Sequence, residues 1–254
     1  MKRIKITVAY DGTLYHGWQI QPNAVTIEGE LNRCLSELTG EKIEVIGGSR
    51  TDAGVHALGN VAVFDTESRM DPSKFSYALN QRLPDDIKVI DSALVPDDFH
   101  PRHCETIKTY EYRIYRADFP MPVRRLYTYF TYHKLDVQAM REAFAYLEGK
   151  HDFKSFCSAH AEAESTVRTL YLVDVREEGP EIVISITGNG FLYNMVRIIV
   201  GTLLYVGTGK YHAEHVADII EACDRSKAGP TVPACGLTLV SYKFLDSEPK
   251  VKRW

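Results

Sequence analysis

A chain of 254 residues, 44% of them hydrophobic, can bury a sizeable core and has room for one large domain or two small ones. Its five cysteines (Cys34, Cys104, Cys157, Cys223, Cys235) include no C-x-x-C pair, a pattern of reduced thiols, most of them expected in the core, that excludes a disulfide framework. No secretory leader and no membrane-spanning stretch is legible, so a cytoplasmic protein is expected. The formal net charge of −4 weighs against a polyanionic partner. It is a sum, however, and the bases gather locally at Arg50, Arg102, His103, Lys108, Arg113, Arg116, Arg124 and Arg125. A positive groove on an acidic protein is allowed, because fields act over a Debye length of about 8 Å.

The first half reads strand, helix, strand, strand, helix, strand. Arg3 to Tyr10 alternates; Val25 to Leu38 has helical spacing through Ile27, Leu31, Cys34, Leu35 and Leu38; Lys42 to Ile46 and Val61 to Thr66 are β-like; residues 72–83 read as a helix opened by Pro72; Ile87 to Val95 is extended. That order is the split β-α-β, ferredoxin-like arrangement. The second half opens near Thr106 with a long alternating strand, followed by a turn at Pro120 and Pro122 and a strand over 127–132. A helix over 136–147, strands over 169–175 and 182–186, an apolar helix over 191–207, a short helix over 216–222 and a last strand over 237–244 complete it. The expected fold is α+β: two ferredoxin-like or RRM-like halves with mainly antiparallel sheets around a central catalytic cleft. The domains expected are 1–104 and 105–254.

Four segments carry chemistry that packing does not require. Between two apolar runs lies Gly48-Ser-Arg-Thr-Asp-Ala-Gly-Val-His56, a glycine-flanked turn holding Arg50 and Asp52. On its own, an Asp in such a turn usually bonds nearby backbone amides. The apolar run from Phe191 to Gly207 embeds Asn194 and Arg197 three residues apart on one helical face, and a buried arginine needs a partner or an exit to solvent. Phe99-His-Pro-Arg-His103 sets aromatic, imidazole and guanidinium groups within five residues, as suits contact with phosphates and bases. Lys108-Thr-Tyr-Glu-Tyr112 puts Lys108, Tyr110 and Tyr112 on one strand face. No metal site is expected: His100-x-x-His103 has no second ligand pair at zinc spacing, and His212 with His215 lacks a His-Glu-x-x-His frame. Gly207-Thr-Gly-Lys210 is not a P-loop, and Gly188-Asn-Gly190 is not a dinucleotide motif, so no cofactor is expected.

Taken together with Tyr10-Asp-Gly-Thr13, Gly17-Trp-Gln19, Asn80 to Pro84, His151-Asp-Phe153 and Ala228 to Val240, these segments resemble the tRNA pseudouridine synthase I (TruA-type) family along nearly the whole chain. The resemblance implies a homodimer that binds tRNA. It isomerises uridines at tRNA positions 38 to 40, in the anticodon arm, without metal or organic cofactor. It also implies that Asp52 is the nucleophile, that Arg197 pairs with it, that Tyr110 stacks on the target base and assists proton transfer, and that Arg50 fills the space the flipped base leaves or contacts phosphate. Phe99, His100, Pro101, Arg102, His103, Lys108 and Arg168 would face RNA. The acidic stretch from Ser158 to Glu164 departs from the polar or basic character of RNA-facing loops in the family. Two other readings remain: a non-catalytic RNA-binding protein of two RRM-like modules, for which no RNP motif is found, and a pseudouridine synthase of different RNA specificity.

Overall fold

The computed structural model describes residues 1–158 and 164–245. By contact, the chain divides into two units: Met1–Thr106 with the residues from Leu239 on, and Ile107–Thr238. The boundary expected at 104–105 is thus joined by a second crossing inside the last strand.

In the first unit, β1 (Lys2–Tyr10), β2 (Ile46–Gly47), β3 (His56–Thr66) and β4 (Ile87–Val95) are joined through α1 (Ile27–Thr39) and α2 (Phe75–Asn80). The strands run antiparallel in the order β4, β1, β3, with β2 paired to Ala62 and Val63 of β3. This is the expected ferredoxin-like order. Ile4, Ile6, Val8 and Tyr10 alternate into the core of the unit, as the period of two requires. Helix α1 begins where Thr26 accepts a hydrogen bond from Gly29 N and ends at Gly40 in the left-handed conformation. Its buried stripe is Ile27, Leu31, Cys34 and Leu35, the three aliphatic side chains each contributing on the order of 1.5–3 kcal/mol of transfer free energy.

Two expectations in this unit need correction. Residues 42–45 are not a strand, because α1 side chains take their amides: Ser36 Oγ accepts from Ile43 N at 3.0 Å and Asn32 Oδ1 from Val45 N at 2.8 Å. The helix expected over 72–83 is a 3-10 turn at Pro72–Lys74 followed by a six-residue α2. Asn80 ends α2 by bonding both backbone groups of Val89, at 2.8 and 2.9 Å, and Pro84 disfavours helix at the residue before it.

The second unit contains β5 (Thr106–Arg116), β6 (Tyr129–Thr131), α3 (Val137–Leu147), β7 (Gly149–Asp152), β8 (Val167–Glu178), β9 (Glu181–Gly188), α4 (Met195–Gly207) and α5 (His215–Ala222). Strands β5, β9, β8 and β7 lie side by side and antiparallel, while β6 joins β5 in parallel. Strand, helix, hairpin, helix therefore follow one another as in the first unit. The last strand, β10 (Leu237–Phe244), lies next to β3. Helix α4 starts at Met195 rather than at residue 191, because Asn194 sits at φ 61°, a left-handed conformation that Asn tolerates and that breaks a helix. His212 precedes α5; His215 opens it and pairs with Asp218 at 3.2 Å. All five cysteines are free thiols, but only Cys34 and Cys157 are buried, fewer than expected. Among the described residues no helix is long and apolar enough to cross a membrane, and no three His, Cys, Asp or Glu side chains gather as a metal site.

Candidate active site

In the first unit, the loop joining β2 to β3 carries Arg50 and Asp52, and its side chains alternate between core and surface. Ser49 and Thr51 are buried, Arg50 is exposed, and Asp52 is half-buried. The loop lies against the segment after β1, with hydrogen bonds from Trp18 N to Thr51 O at 3.0 Å and from Gly54 N to Tyr15 O at 3.2 Å. Within the loop, Val55 N donates to Asp52 O at 3.1 Å. Two glycines permit this approach. A Cβ on Gly12 would overlap the carbonyl oxygen of Val55, and one on Gly17, already at φ +87°, would come within 2.6 Å of Thr51 O. The Tyr10-Asp-Gly-Thr and Gly-Trp-Gln segments thus form the bed of the Asp52 loop. Beneath the bed, Tyr15 donates to Asp86 Oδ1 at 2.6 Å, and burial, reinforced by that carboxylate, pushes the Tyr15 phenol up.

The same unit brings the Phe99–His103 segment to this loop. Arg102 Nε donates to Gly47 O at 2.8 Å, Tyr242 donates to Pro101 O at 2.7 Å, and a Cβ on Gly48 would strike the Tyr242 hydroxyl at 2.7 Å. Phe99 packs edge-on against Phe244 at 5.3 Å, and its carbonyl accepts from Arg3 at 3.0 Å. His100 and His103 stack with centroids 3.9 Å apart. Partial burial, then the neighbouring His103 and Arg102, pulls the His100 imidazole down. Desolvation, then the Arg50 charge, lowers Arg102 in the same direction, although much of the Arg102 side chain remains exposed. Aromatic and cationic groups therefore share one rim with Arg50, a composition suited to phosphate and base contacts. Tyr242, which fastens this rim, has no counterpart among the expected site residues.

In the second unit, the turn from Gly188 to Asn194 gathers three of the expected residues. Tyr110 on β5 is buried and meets Phe191 edge-on at 5.0 Å. Arg168 lies alongside Gly190, where a Cβ would stand 3.5 Å from its Nε, and donates to the carbonyls of Ser165 and Val167 at 2.8 and 2.7 Å. Burial lowers the Arg168 pKa. Arg197, on the first turn of α4, donates to Asn194 Oδ1 at 2.6 Å and to Val232 O at 2.7 Å, while Asn194 reaches Ser158 Oγ at 3.0 Å. The Asn194–Arg197 spacing read from the sequence is thus a hydrogen bond, with Asn194 at the N-cap of α4 rather than on a helical face shared with Arg197. Lys108 pairs with Gly188 in the β5–β9 ladder and is half-buried. Tyr112 is wholly buried and donates to Pro233 O at 2.8 Å, and burial pushes its phenol well up. The acidic stretch over 159–163 lies outside the described residues.

The first unit is thus an α+β fold in which a charged, glycine-bedded loop sits on an antiparallel sheet. The sequence pattern of one family, described as tRNA pseudouridine synthase, matches residues 6–103 and 143–244, and the chain belongs to that family. Full-length relatives agree. A protein of Acetivibrio thermocellus named tRNA pseudouridine synthase A is 49% identical over 244 residues, covering 96% of this chain and 100% of the relative. The proteins of the same name from Ruminiclostridium cellulolyticum (48%, 96% and 100% covered) and Halalkalibacterium halodurans (50%, 93% and 90% covered) are similar to the same extent. The family pattern omits residues 104–142, and with them Lys108 and Tyr110.

Proposed function

We propose that this protein isomerises uridine to pseudouridine in the anticodon arm of tRNA, at positions 38 to 40, with Asp52 as the nucleophile. The observation that carries the reading is the Asp52 loop itself. Buried on one side and held by Trp18, Tyr15 and two close-approach glycines, it carries the Asp52 carboxylate, and its start at Gly47 meets a rim of arginine, histidine and phenylalanine, in a chain of the tRNA pseudouridine synthase family.

The reaction breaks the N1–C1′ bond, turns the uracil and rejoins it through C5, so the base must leave the stack and be held throughout. In this reading Asp52 attacks C1′ or C6, or opens a glycal route by taking a ribose proton. Arg197 keeps the carboxylate ionised, and Tyr110 stacks on the base and assists loss of the C5 proton. Arg50 occupies the vacated stack or a phosphate. Phe99, His100, Pro101, Arg102, His103, Lys108 and Arg168 carry RNA contacts. The protein works in the cytoplasm as a homodimer whose two positive surfaces share one tRNA; a monomer with full activity would count against that part.

The test is Asp52→Asn assayed with tRNA tritiated at uracil C5. Tritium release should vanish while tRNA affinity stays within about tenfold, or about 1.4 kcal/mol, since the carboxylate performs chemistry and neutralises no phosphate. Turnover near the wild-type rate would remove Asp52 from its role.

A further inference from the structure

The first unit contains a buried polar cluster that the proposed chemistry does not use. Tyr10, Thr51 and Asn60 are 4%, 7% and 0% exposed. The Tyr10 hydroxyl lies 2.8 Å from Thr51 Oγ1, and Asn60 Nδ2 donates both to that hydroxyl at 3.2 Å and to Ser49 O at 2.8 Å. The Asn60 carboxamide has only one orientation here: Ser49 O can only accept, and Val61 N donates to Asn60 Oδ1 at 2.9 Å. Buried polar groups of this kind are costly unless fully bonded, and a packed core could do without them. Their bonds converge on the two residues at 49 and 51, whose backbones bracket Arg50 and lead directly into Asp52. Thr51 is gripped at both ends, its side chain by Tyr10 and its carbonyl by Trp18 N at 3.0 Å.

We propose that Tyr10 and Asn60 are positioning residues for catalysis: through Thr51 and Ser49 they fix the backbone from which the Asp52 carboxylate projects. The proposal rests on the reading of Asp52 as nucleophile. The Tyr10 hydroxyl need not meet substrate. It removes the freedom of the loop to turn about residues 49–51, and a nucleophile displaced by about 1 Å can lose on the order of a hundredfold in rate.

The experiment measures single-turnover tritium release, tRNA binding and thermal unfolding for Tyr10→Phe, Thr51→Val, their double variant and Asn60→Ala. Tyr10→Phe and Thr51→Val each keep the shape of the core and delete one side of the same bond. The expected result is a rate reduced by about tenfold or more in each, with binding within about threefold, and a double variant no slower than the worse single one. Thr51→Ser, which restores the hydroxyl, should recover most of the rate lost in Thr51→Val. A purely structural role would instead lower the melting temperature and leave the rate of the folded protein at the wild-type value; that outcome overturns the proposal. So does a double variant in which the two losses multiply. If Asp52→Asn, run alongside, turned over normally, the reading beneath the proposal would fail instead, and the two failures are therefore distinguishable.

Discussion

Arg197 shows how much one residue can say. Its position in an apolar run led to the expectation of a buried charge needing a partner; Arg197 is half-buried, and its bonds include those to Asn194 Oδ1 and Val232 O. On the proposed role of Arg197, Arg197→Met should lower the single-turnover rate of tritium release by about tenfold or more at neutral pH while leaving the protein folded. A wild-type rate in a folded Arg197→Met protein would contradict that role. The loop that carries Asp52 was legible as a loop between strands, because a charged triplet between glycines is out of place within an apolar run. The bed beneath it was not legible in physical terms. That Tyr10 and Asn60 bond toward residues 49 and 51 depends on strand register, and β1 and β3 carry an irregularity between Val8 and Tyr10 that alternation alone does not reveal.

Elements with strong periodicity were read to within a residue or two: β1, α1, β4, α3 and β10. Where side chains compete for backbone groups, the pattern misled. Residues 42–45 look like a strand, but they spend their amides on α1, and β7 (Gly-Lys-His-Asp) has no apolar alternation to announce it although it pairs fully with β8. At this scale Arg3 joins β1 to β3 through a two-pronged pair with Asp65, at 2.8 and 2.7 Å, and reaches Phe99 O as well. The Arg3 hydrogen bonds hold the Asp65 carboxyl below its ordinary value. A carboxyl depressed in the folded state contributes stability above its unfolded pKa, near 3.9, and loses it as pH falls through the folded value. Arg3→Met should therefore cost about 1 kcal/mol at pH 7, the pair being partly exposed. That difference should shrink toward acid pH in denaturant titrations. A cost unchanged between pH 7 and pH 2.5 would show that packing, not the ion pair, carries it.

For the whole molecule, the order of strands and helices foretold an α+β chain of two similarly built units, and the contacts between elements bear out the mainly antiparallel sheets. What order could not foretell is that the chain's last strand groups from Leu239 on with the first unit, and that its Tyr242 ties the 99–103 rim to the Asp52 loop. Such ties join residues 141 positions apart, a distance over which no local pattern speaks. The family assignment rests on almost the full length of the chain, so the account's central claim concerns the reaction and its place on the RNA. The most direct measurement is tritium release from unmodified tRNA transcripts carrying C5-labelled uridine, resolved by position. The account predicts stoichiometric release from uridines at positions 38 to 40 and none from uridines elsewhere, in the presence of chelator. Release confined to other positions, or no release from protein shown to bind the transcript, would contradict it.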